Sequence, residues 1–576
     1  MLKLENLKNV DKAARYIGTE VGHVIKKGNI TCKATLVLPF PYEMAMSSIT
    51  LRQMYYNLNK KRECMLDRCF ATMPDFENVL KEQGEELYAL DSKISLKEMD
   101  ILFTELASPL TYTTFLHMLM LANIPLVANK RDKDYPIIVM GGDATLYPKP
   151  MSKMVDIFIL GDMTRISEQI VDKYILCKKE NKTKSEFLAT LVKIEGIYIP
   201  TIHKDTEKIT VTYGKRLNDQ TMAPHQLSPL VSSAMDNVNV ALALGCIRGC
   251  NMCQHRFIYS GVEGKDIPHA LSDIKKGIEA TGNRNINIIT NCYGDYEGLE
   301  VLVDKIKELE KPNVERIFFM EVKLTEDNLW LLPYLKEQYK ITGEVPTIIV
   351  GSTSAELRNI LGISMDEERI LSISRKVFRA GFNKIRLKYI LGVPKETYED
   401  LNNVFSVASK IIKIYTEEYS QLPDKYIVEV DMCSFIPLPH TVLQFAPVNN
   451  HAKLEMKAKY LNERNTNEYI KLTFDNFLQS ELTTILSRGD ARMCEAICRA
   501  TELGANFDFL EPSFNFDAWR VALNEANIDT KAMLEEISVH ATLPWDNIVT
   551  PVSKEELTDK YVNIMKGNKD ESSSDK

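Results

Sequence analysis

Asn239-Val240-Ala241-Leu242-Ala243-Leu244-Gly245-Cys246-Ile247-Arg248-Gly249-Cys250-Asn251-Met252-Cys253 is the stretch on which the reading of this chain turns. A strand-like run from Asn239 to Leu244 is followed at once by three cysteines at C-x3-C-x2-C spacing. With only eleven cysteines in 576 residues, chance is a poor account of such a triplet. Three thiolates on one short loop can hold three irons of a cubane cluster and leave the fourth iron open to a small molecule. A structural zinc site wants four ligands, and the nearby fourth candidate, His255, is poorly spaced to close a tetrahedron. The cluster is the leading expectation, with structural zinc and plain buried thiols as alternatives.

The run before the cysteines opens a longer series. Apolar runs at Asn239–Leu244, Asn285–Thr290, Arg316–Glu321, Thr347–Val350, Lys384–Leu391 and Tyr426–Ser434 alternate with helical spacing at His269–Ala280, Tyr296–Leu309, Glu326–Glu337, Asp366–Ala380 and Tyr398–Ile414. Six strands with right-handed helical crossovers predict a partial (β/α)6 barrel, whose chemistry sits at the carboxyl ends of its strands.

Upstream, Ala34–Leu38, Asp100–Thr104, Pro136–Met140 and Asp156–Leu160 alternate with helical segments Glu43–Asn59, Thr113–Ala122 and Arg165–Lys178, which predicts an open, doubly wound α/β sheet. Short strands at Ile197–Pro200 and Lys208–Tyr213 lead through the loop Asn218–Pro229 to the barrel. Beyond Pro447 the chain reads as mostly helical, with helices at Lys453–Arg464 and Phe477–Thr501 and a disordered Ser/Asp/Lys-rich end from Gly567. The fold class is α/β, with expected domains at 1–220, 230–450 and 451–566 and a tail at 567–576.

Hydrophobic residues at 45% and charged residues at 26% are ordinary globular composition. A formal charge of −8 argues against a protein that coats nucleic acid by charge alone, and no clear basic-aromatic stripe is present, so nucleic acid stays undetermined as a partner. No run of about 18 apolar residues occurs, and Met1–Ile30 lacks the apolar stretch of a signal peptide, so no membrane partner and a cytoplasmic location are expected.

A C-x3-C-x2-C loop after the first strand of a β/α barrel resembles the radical S-adenosylmethionine (radical SAM) superfamily. Its likeness reaches a subfamily of uncharacterised proteins with an N-terminal domain resembling the cobalamin-binding fold. Residues that carry it are Tyr42-Glu43 with Met46-Ser47, Leu121-Ala122-Asn123-Ile124-Pro125-Leu126, Gly141-Gly142, Gly392-Val393-Pro394 with Glu396-Thr397, Phe435-Ile436-Pro437 with Pro439-His440-Thr441, Arg488-Gly489-Asp490 and Leu543-Pro544-Trp545-Asp546. Met252 stands where the family usually has an aromatic residue, Leu244 where it has Arg, Val350-Gly351-Ser352-Thr353 where it has Pro-Glu-Ala-Gly, and Gly161-Asp162 where it has Gly-Glu.

The resemblance implies an enzyme in which Cys246, Cys250 and Cys253 ligate a [4Fe-4S] cluster, SAM binds the open iron, and reductive cleavage yields a 5′-deoxyadenosyl radical that abstracts hydrogen from an unknown substrate. It also implies an electron donor such as flavodoxin or ferredoxin. Residues expected to meet SAM are Tyr293, Gly294 and Asp295 after the second barrel strand, Arg386 and Lys388 on one face of the fifth, and Gly392 and Pro394 after it. His440 could donate a proton or touch substrate, against the alternative of a hydrogen-bonded loop residue. Cys292 and Cys433 end barrel strands and could face the cavity. Cys494 and Cys498 share a helix face but supply too few ligands for a metal.

None of the nine histidines has Asp two residues before it, so the Asp-x-His-x-x-Gly fingerprint of cobalamin ligation is missing. Loss of cobalamin is favoured over its retention. The alternatives to a hydrogen-abstracting enzyme are a non-catalytic iron–sulfur scaffold and a cobalamin-dependent radical SAM methyltransferase.

Overall fold

The computed structural model describes residues 4–567 except 214–216, 220–226, 232–236, 247, 260, 310–313, 420 and 424. Residues 568–576 of the expected tail, and part of the loop expected at Asn218–Pro229, lie outside the described residues.

The first unit is a six-stranded sheet of β1 (Cys32–Leu38), β2 (Cys64–Phe70), β3 (Ile101–Glu105), β4 (Ile137–Gly141), β5 (Ile157–Ile159) and β6 (Ile197–Tyr198). Their order is β2-β1-β3-β4-β5-β6, all parallel except β6. Nearly every residue of β1, β3 and β4 is buried, as a parallel sheet covered on both faces requires. The chain reverses direction across the sheet at β1 and β3, the switch point of a doubly wound fold.

Two departures from the sequence reading have local causes. The helix expected over Glu43–Asn59 is two helices, Tyr42–Ala45 and Ile49–Lys60, because the Ser48 side chain accepts Leu51 N–H at 3.0 Å and caps a new start. Strand β2 was not anticipated: its centre is Asp67-Arg68, which reads as polar, yet both are buried.

Next, β7 (Ile209–Thr210) leads to β8 (Val238–Ala241), β9 (Ala243–Leu244), β10 (Glu263–Gly264), β11 (Asn285–Ile289), β12 (Arg316–Phe319), β13 (Thr347–Gly351), β14 (Ile385–Leu391), β15 (Val428–Ser434) and β16 (Ile470–Phe474). β8, β11 and β12 form one parallel sheet and β13 to β16 another, and a parallel bridge from Lys323 to Thr347 joins them. The result is seven parallel strands in chain order, one more than expected. The seventh, β16, lies in a region read as helical, although Ile470, Leu472 and Phe474 alternate with Lys471 and Thr473.

Along β14, Ile385, Leu387, Tyr389 and Leu391 are buried in the outer apolar layer with residues of the helices Glu367–Arg379 and Tyr398–Glu418. Arg386, Lys388 and Ile390 therefore share the opposite face. The run expected as one first barrel strand is split: β9 turns away and pairs antiparallel with β10, so the cysteines sit in a loop closed at its base.

Five helices dominate the C-terminal part: His451–Arg464, Phe477–Ser487, Met493–Glu502, Phe516–Glu525 and Lys554–Met565. The single helix expected over Phe477–Thr501 is broken at Arg488-Gly489. Arg488, almost fully buried, turns its guanidinium to the carbonyls of Gln444, Ala446, Met533 and Glu535 at 2.6 to 3.2 Å. Strand β17 (Ile548–Val549) pairs parallel with β7. One apolar core runs from the helix Tyr112–Leu121 through the loop after β15 into these helices, so the two ends of the chain pack together. Among the described residues no helix is long and apolar enough to cross a membrane.

Asp508 sits in that shared core, accepting from Thr113 Oγ1 at 2.6 Å and Trp519 Nε1 at 2.9 Å, with its other oxygen unpaired. Burial pushes its carboxyl up to about 6. A raised folded value means the group stabilises the fold fully below the ordinary carboxyl range and loses that contribution as pH rises through 6. The difference is about 3 kcal/mol. Asp508→Asn is expected to gain stability relative to wild type at pH 8 and to lose that advantage near pH 4.5. Paired urea melts at the two pH values check it, and a pH-independent difference sinks it.

Candidate functional site

The cysteine loop is fastened by hydrogen bonds to segments that follow the carboxyl ends of three strands. From beyond β11, Asn291 Nδ2 donates to Gly245 O at 3.2 Å and Arg248 Nε donates to Cys292 Sγ at 2.6 Å. From beyond β13, the helix Ala355–Leu361 ends against the loop: Asn251 N donates to Leu361 O at 2.8 Å and Asn251 Nδ2 to Ile360 O at 3.1 Å. From beyond β15, Leu443 N reaches Asn251 O at 3.4 Å and Pro439 O accepts from Gln254 Nε2 at 2.9 Å. Gly245 holds φ +84 and a Cβ there would lie 2.0 Å from Gly261 O, so the position requires glycine on both counts.

Among the described residues no cysteine forms a disulfide. Cys246 and Cys250 are half-buried and Cys253 is exposed, while Ile247 lies outside the described residues. Burial, and then the neighbouring Cys253, push the Cys250 thiol up to about 11, and Arg248, Arg256 and Lys323 pull it back. Among the described residues, no three His, Cys, Asp or Glu side chains already stand together as a metal cage. The chemistry of the donor set nonetheless fits an iron–sulfur cluster: three thiols on one short loop, with Arg248, Arg256 and Lys323 near enough to Cys250 to pull its pKa back down.

Other expected residues fall into three groups. The turn Tyr293–Asp295 follows β11 as foreseen, but Tyr293 is buried, with its hydroxyl 2.7 and 2.8 Å from the carbonyls of Ile288 and Met320, a brace between β11 and β12. Gly294 is exposed beside the cysteine loop, where an added Cβ would lie 3.1 Å from an Arg248 terminal nitrogen. The Asp295 side chain lies outside the described residues.

Arg386 and Lys388 share a face as foreseen, and carboxylates of the next strand engage both: Arg386 with Glu429 at 3.2 Å and Lys388 with Asp431 at 3.4 Å. Lys471 and Thr473 of β16 join the same rows. Gly392, at φ +86, donates its N–H to Glu396 Oε2 at 3.0 Å, and its carbonyl accepts from Asn449. Pro394 lines a cavity of about 450 Å³ between this turn and the helix His451–Arg464, and no residue of the cysteine loop lines that cavity.

His440 is a loop latch. Its Nε2–H donates to Leu146 O of the first unit at 2.9 Å, and burial pushes it down to about 4. Cys433 is half-buried with its thiol pushed up to about 12, mainly by burial. Cys494 is buried, its sulfur accepting Lys153 N–H at 3.4 Å.

Several site residues escaped the sequence reading. Glu321, at the carboxyl end of β12, is exposed and holds φ +53, a left-handed conformation that costs a non-glycine residue on the order of 1 kcal/mol. Asp143 lies 3.2 Å from His255 Nε2, and this hydrogen bond, outweighing burial, raises the imidazole above its usual range. No sequence signal ties Asp143 to His255.

The family described as radical SAM proteins, N-terminal, matches residues 50–200. The uncharacterized protein MJ0966 of Methanocaldococcus jannaschii is 22% identical over 365 residues, covering 63% of this chain and 73% of that protein. Among solved structures, the radical SAM methyltransferase TsrM of Kitasatospora setae, with cobalamin and a [4Fe-4S] cluster bound, superposes with a TM-score of 0.44 at 11% identity over 69% of this chain and 72% of that one. The cobalamin-dependent radical SAM enzyme OxsB, with aqua-cobalamin bound, gives 0.41 at 14% identity over 93% and 79%.

Proposed function

We propose, on the premise that residues 50–200 match the N-terminal part of radical SAM proteins, that this chain is a radical SAM iron–sulfur enzyme that cleaves SAM and abstracts hydrogen from a substrate. The observation that carries the reading is a C-x3-C-x2-C loop braced by segments that follow the carboxyl ends of β11, β13 and β15, where β/α barrels do their chemistry. Cys246, Cys250 and Cys253 would hold three irons. When bound, a [4Fe-4S] cluster supplies the electron that splits SAM into methionine and a 5′-deoxyadenosyl radical.

The chain's own groups prepare that site. Arg248, Arg256 and Lys323 offset part of the burial that raises the Cys250 thiol. The hydrogen bonds from Asn251 and Gln254 fix the loop against neighbouring turns. Gly294, by its place next to Arg248, is the best-positioned of the residues assigned to SAM, and Glu321 adds an exposed carboxylate beyond the neighbouring strand β12. Arg386 and Lys388, matched by Glu429 and Asp431, make the inner face polar and suit a hydrophilic substrate. An electron donor such as flavodoxin or ferredoxin would be the reducing partner.

Cobalamin is named for TsrM and OxsB. In this chain the histidines that reach the first unit's β4 side are engaged, His440 by Leu146 O and His255 by Asp143, and among the described residues none there stands free as an axial ligand.

Anaerobically reconstituted protein is expected to carry about four irons and four sulfides per chain and, with SAM and dithionite, to release 5′-deoxyadenosine. Cys250→Ala should lose both. A fully loaded wild type that releases no 5′-deoxyadenosine would instead mark an iron–sulfur scaffold.

A further inference from the structure

In doubly wound sheets, ligands bind beyond the carboxyl ends of the strands. Here that edge is engaged by the chain itself at β4. Gly142, at φ +93, packs so tightly that an added Cβ would lie 2.6 Å from Leu106 O, and the next residue, Asp143, reaches the cysteine loop. Its carboxylate meets His255 Nε2 at 3.2 Å. The Tyr213 ring lies 4.2 Å from the Tyr259 ring, and Tyr259 faces the His255 ring at 5.9 Å. His255 and Tyr259 are two and six residues past Cys253. Tyr213 follows β7, which β17 anchors from the far end of the chain.

Asp143 and His255 are 33% and 37% exposed in their side chains. A pair so open to water contributes little to stability. Its value lies in direction: a carboxylate that holds an imidazole fixes the chain beside the third cysteine, as partners beyond the ligands fix metal sites. We infer that Asp143 is a positioning residue, through which the N-terminal unit sets the geometry of the cysteine loop by way of His255. The inference rests on the radical SAM reading.

The experiment compares reconstituted wild type, Asp143→Ala, Asp143→Asn and Thr113→Val. Thr113→Val cuts a buried hydrogen bond of the same unit to Asp508, away from the cysteines. Expected for Asp143→Ala are wild-type iron content and melting temperature, an altered EPR spectrum of the reduced cluster, and a loss of SAM cleavage of about 10–100-fold. Asp143→Asn, which keeps an oxygen facing the imidazole N–H, should recover part of the rate. Thr113→Val should lower the melting temperature and leave the spectrum unchanged. An Asp143→Ala protein with wild-type spectrum and rate overturns the inference, as does one whose losses track melting temperature as those of Thr113→Val do. A wild type that takes up no cluster overturns the radical SAM reading first, and the inference with it.

Discussion

Gly362→Ala is expected to strip the cysteine loop of its iron while every cysteine stays in place. Gly362 caps the helix Ala355–Leu361 at φ +66, and an added Cβ would lie 1.9 Å from Gly249 O and 3.0 Å from the Asn251 side chain. Real carbons do not approach so closely, and the obstacle is backbone, which moves only if the segment between Cys246 and Cys253 moves. The left-handed conformation alone costs an alanine about 1 kcal/mol, so the rest of the effect must come from displacing the loop. Gly343→Ala separates the two contributions, because Gly343 has φ +73 and nothing within 4 Å of an added Cβ. Iron per chain after anaerobic reconstitution should fall severalfold in Gly362→Ala and hold in Gly343→Ala. Full iron loading in Gly362→Ala would mean that the loop has more room than these contacts allow.

The largest loss of stability is expected from Arg68→Met. Arg68 is fully buried in β2 and bridges two acids: its guanidinium pairs with Glu20 and meets Asp91 Oδ1 at 2.9 Å and Oδ2 at 3.3 Å. Tyr42 donates to Glu20 at 2.8 Å and Tyr55 to Asp91 at 2.9 Å, so the network ties the N-terminal segment to the sheet. The two carboxylates hold the guanidinium pKa above its ordinary value, against burial. Methionine fills the volume and strips two buried carboxylates of their paired guanidinium, which costs about 3–5 kcal/mol. The shift in urea midpoint at pH 7 measures it. Adding Glu20→Gln and Asp91→Asn should restore part of the loss, since the penalty comes from unpaired charge more than from lost packing. A shift under about 1 kcal/mol would show that water reaches the acids and relieves them.

Polar patterns misled the sequence reading where tertiary partners neutralise them. Asp67-Arg68 reads as surface and lies at the centre of a buried strand. Lys471 and Thr473 hid β16, yet they face Glu429 and Asp431 across the sheet. Breaks in helices were missed for another reason: Ser48 and Gly489 act through a cap and a turn whose weight depends on what the next segment packs against. Arg386 and Lys388 were placed on one face by period alone, whereas their carboxylate partners belong to a strand more than forty residues away.

By itself, the sequence determined the cysteine spacing, the alternation that produces two α/β units, and the position of the loop after the first barrel strand. These follow from local covalent order and from the two- and 3.6-residue periods by which strands and helices show their faces. Only the tertiary structure decided what holds the loop: Gly362 pressed on Gly249, Asn251 bonded to the end of a helix, Asp143 reaching His255 from another sheet. Such contacts join residues up to a hundred or so positions apart, and no local preference encodes them; they exist because the strands stack in one order and bring their carboxyl ends together.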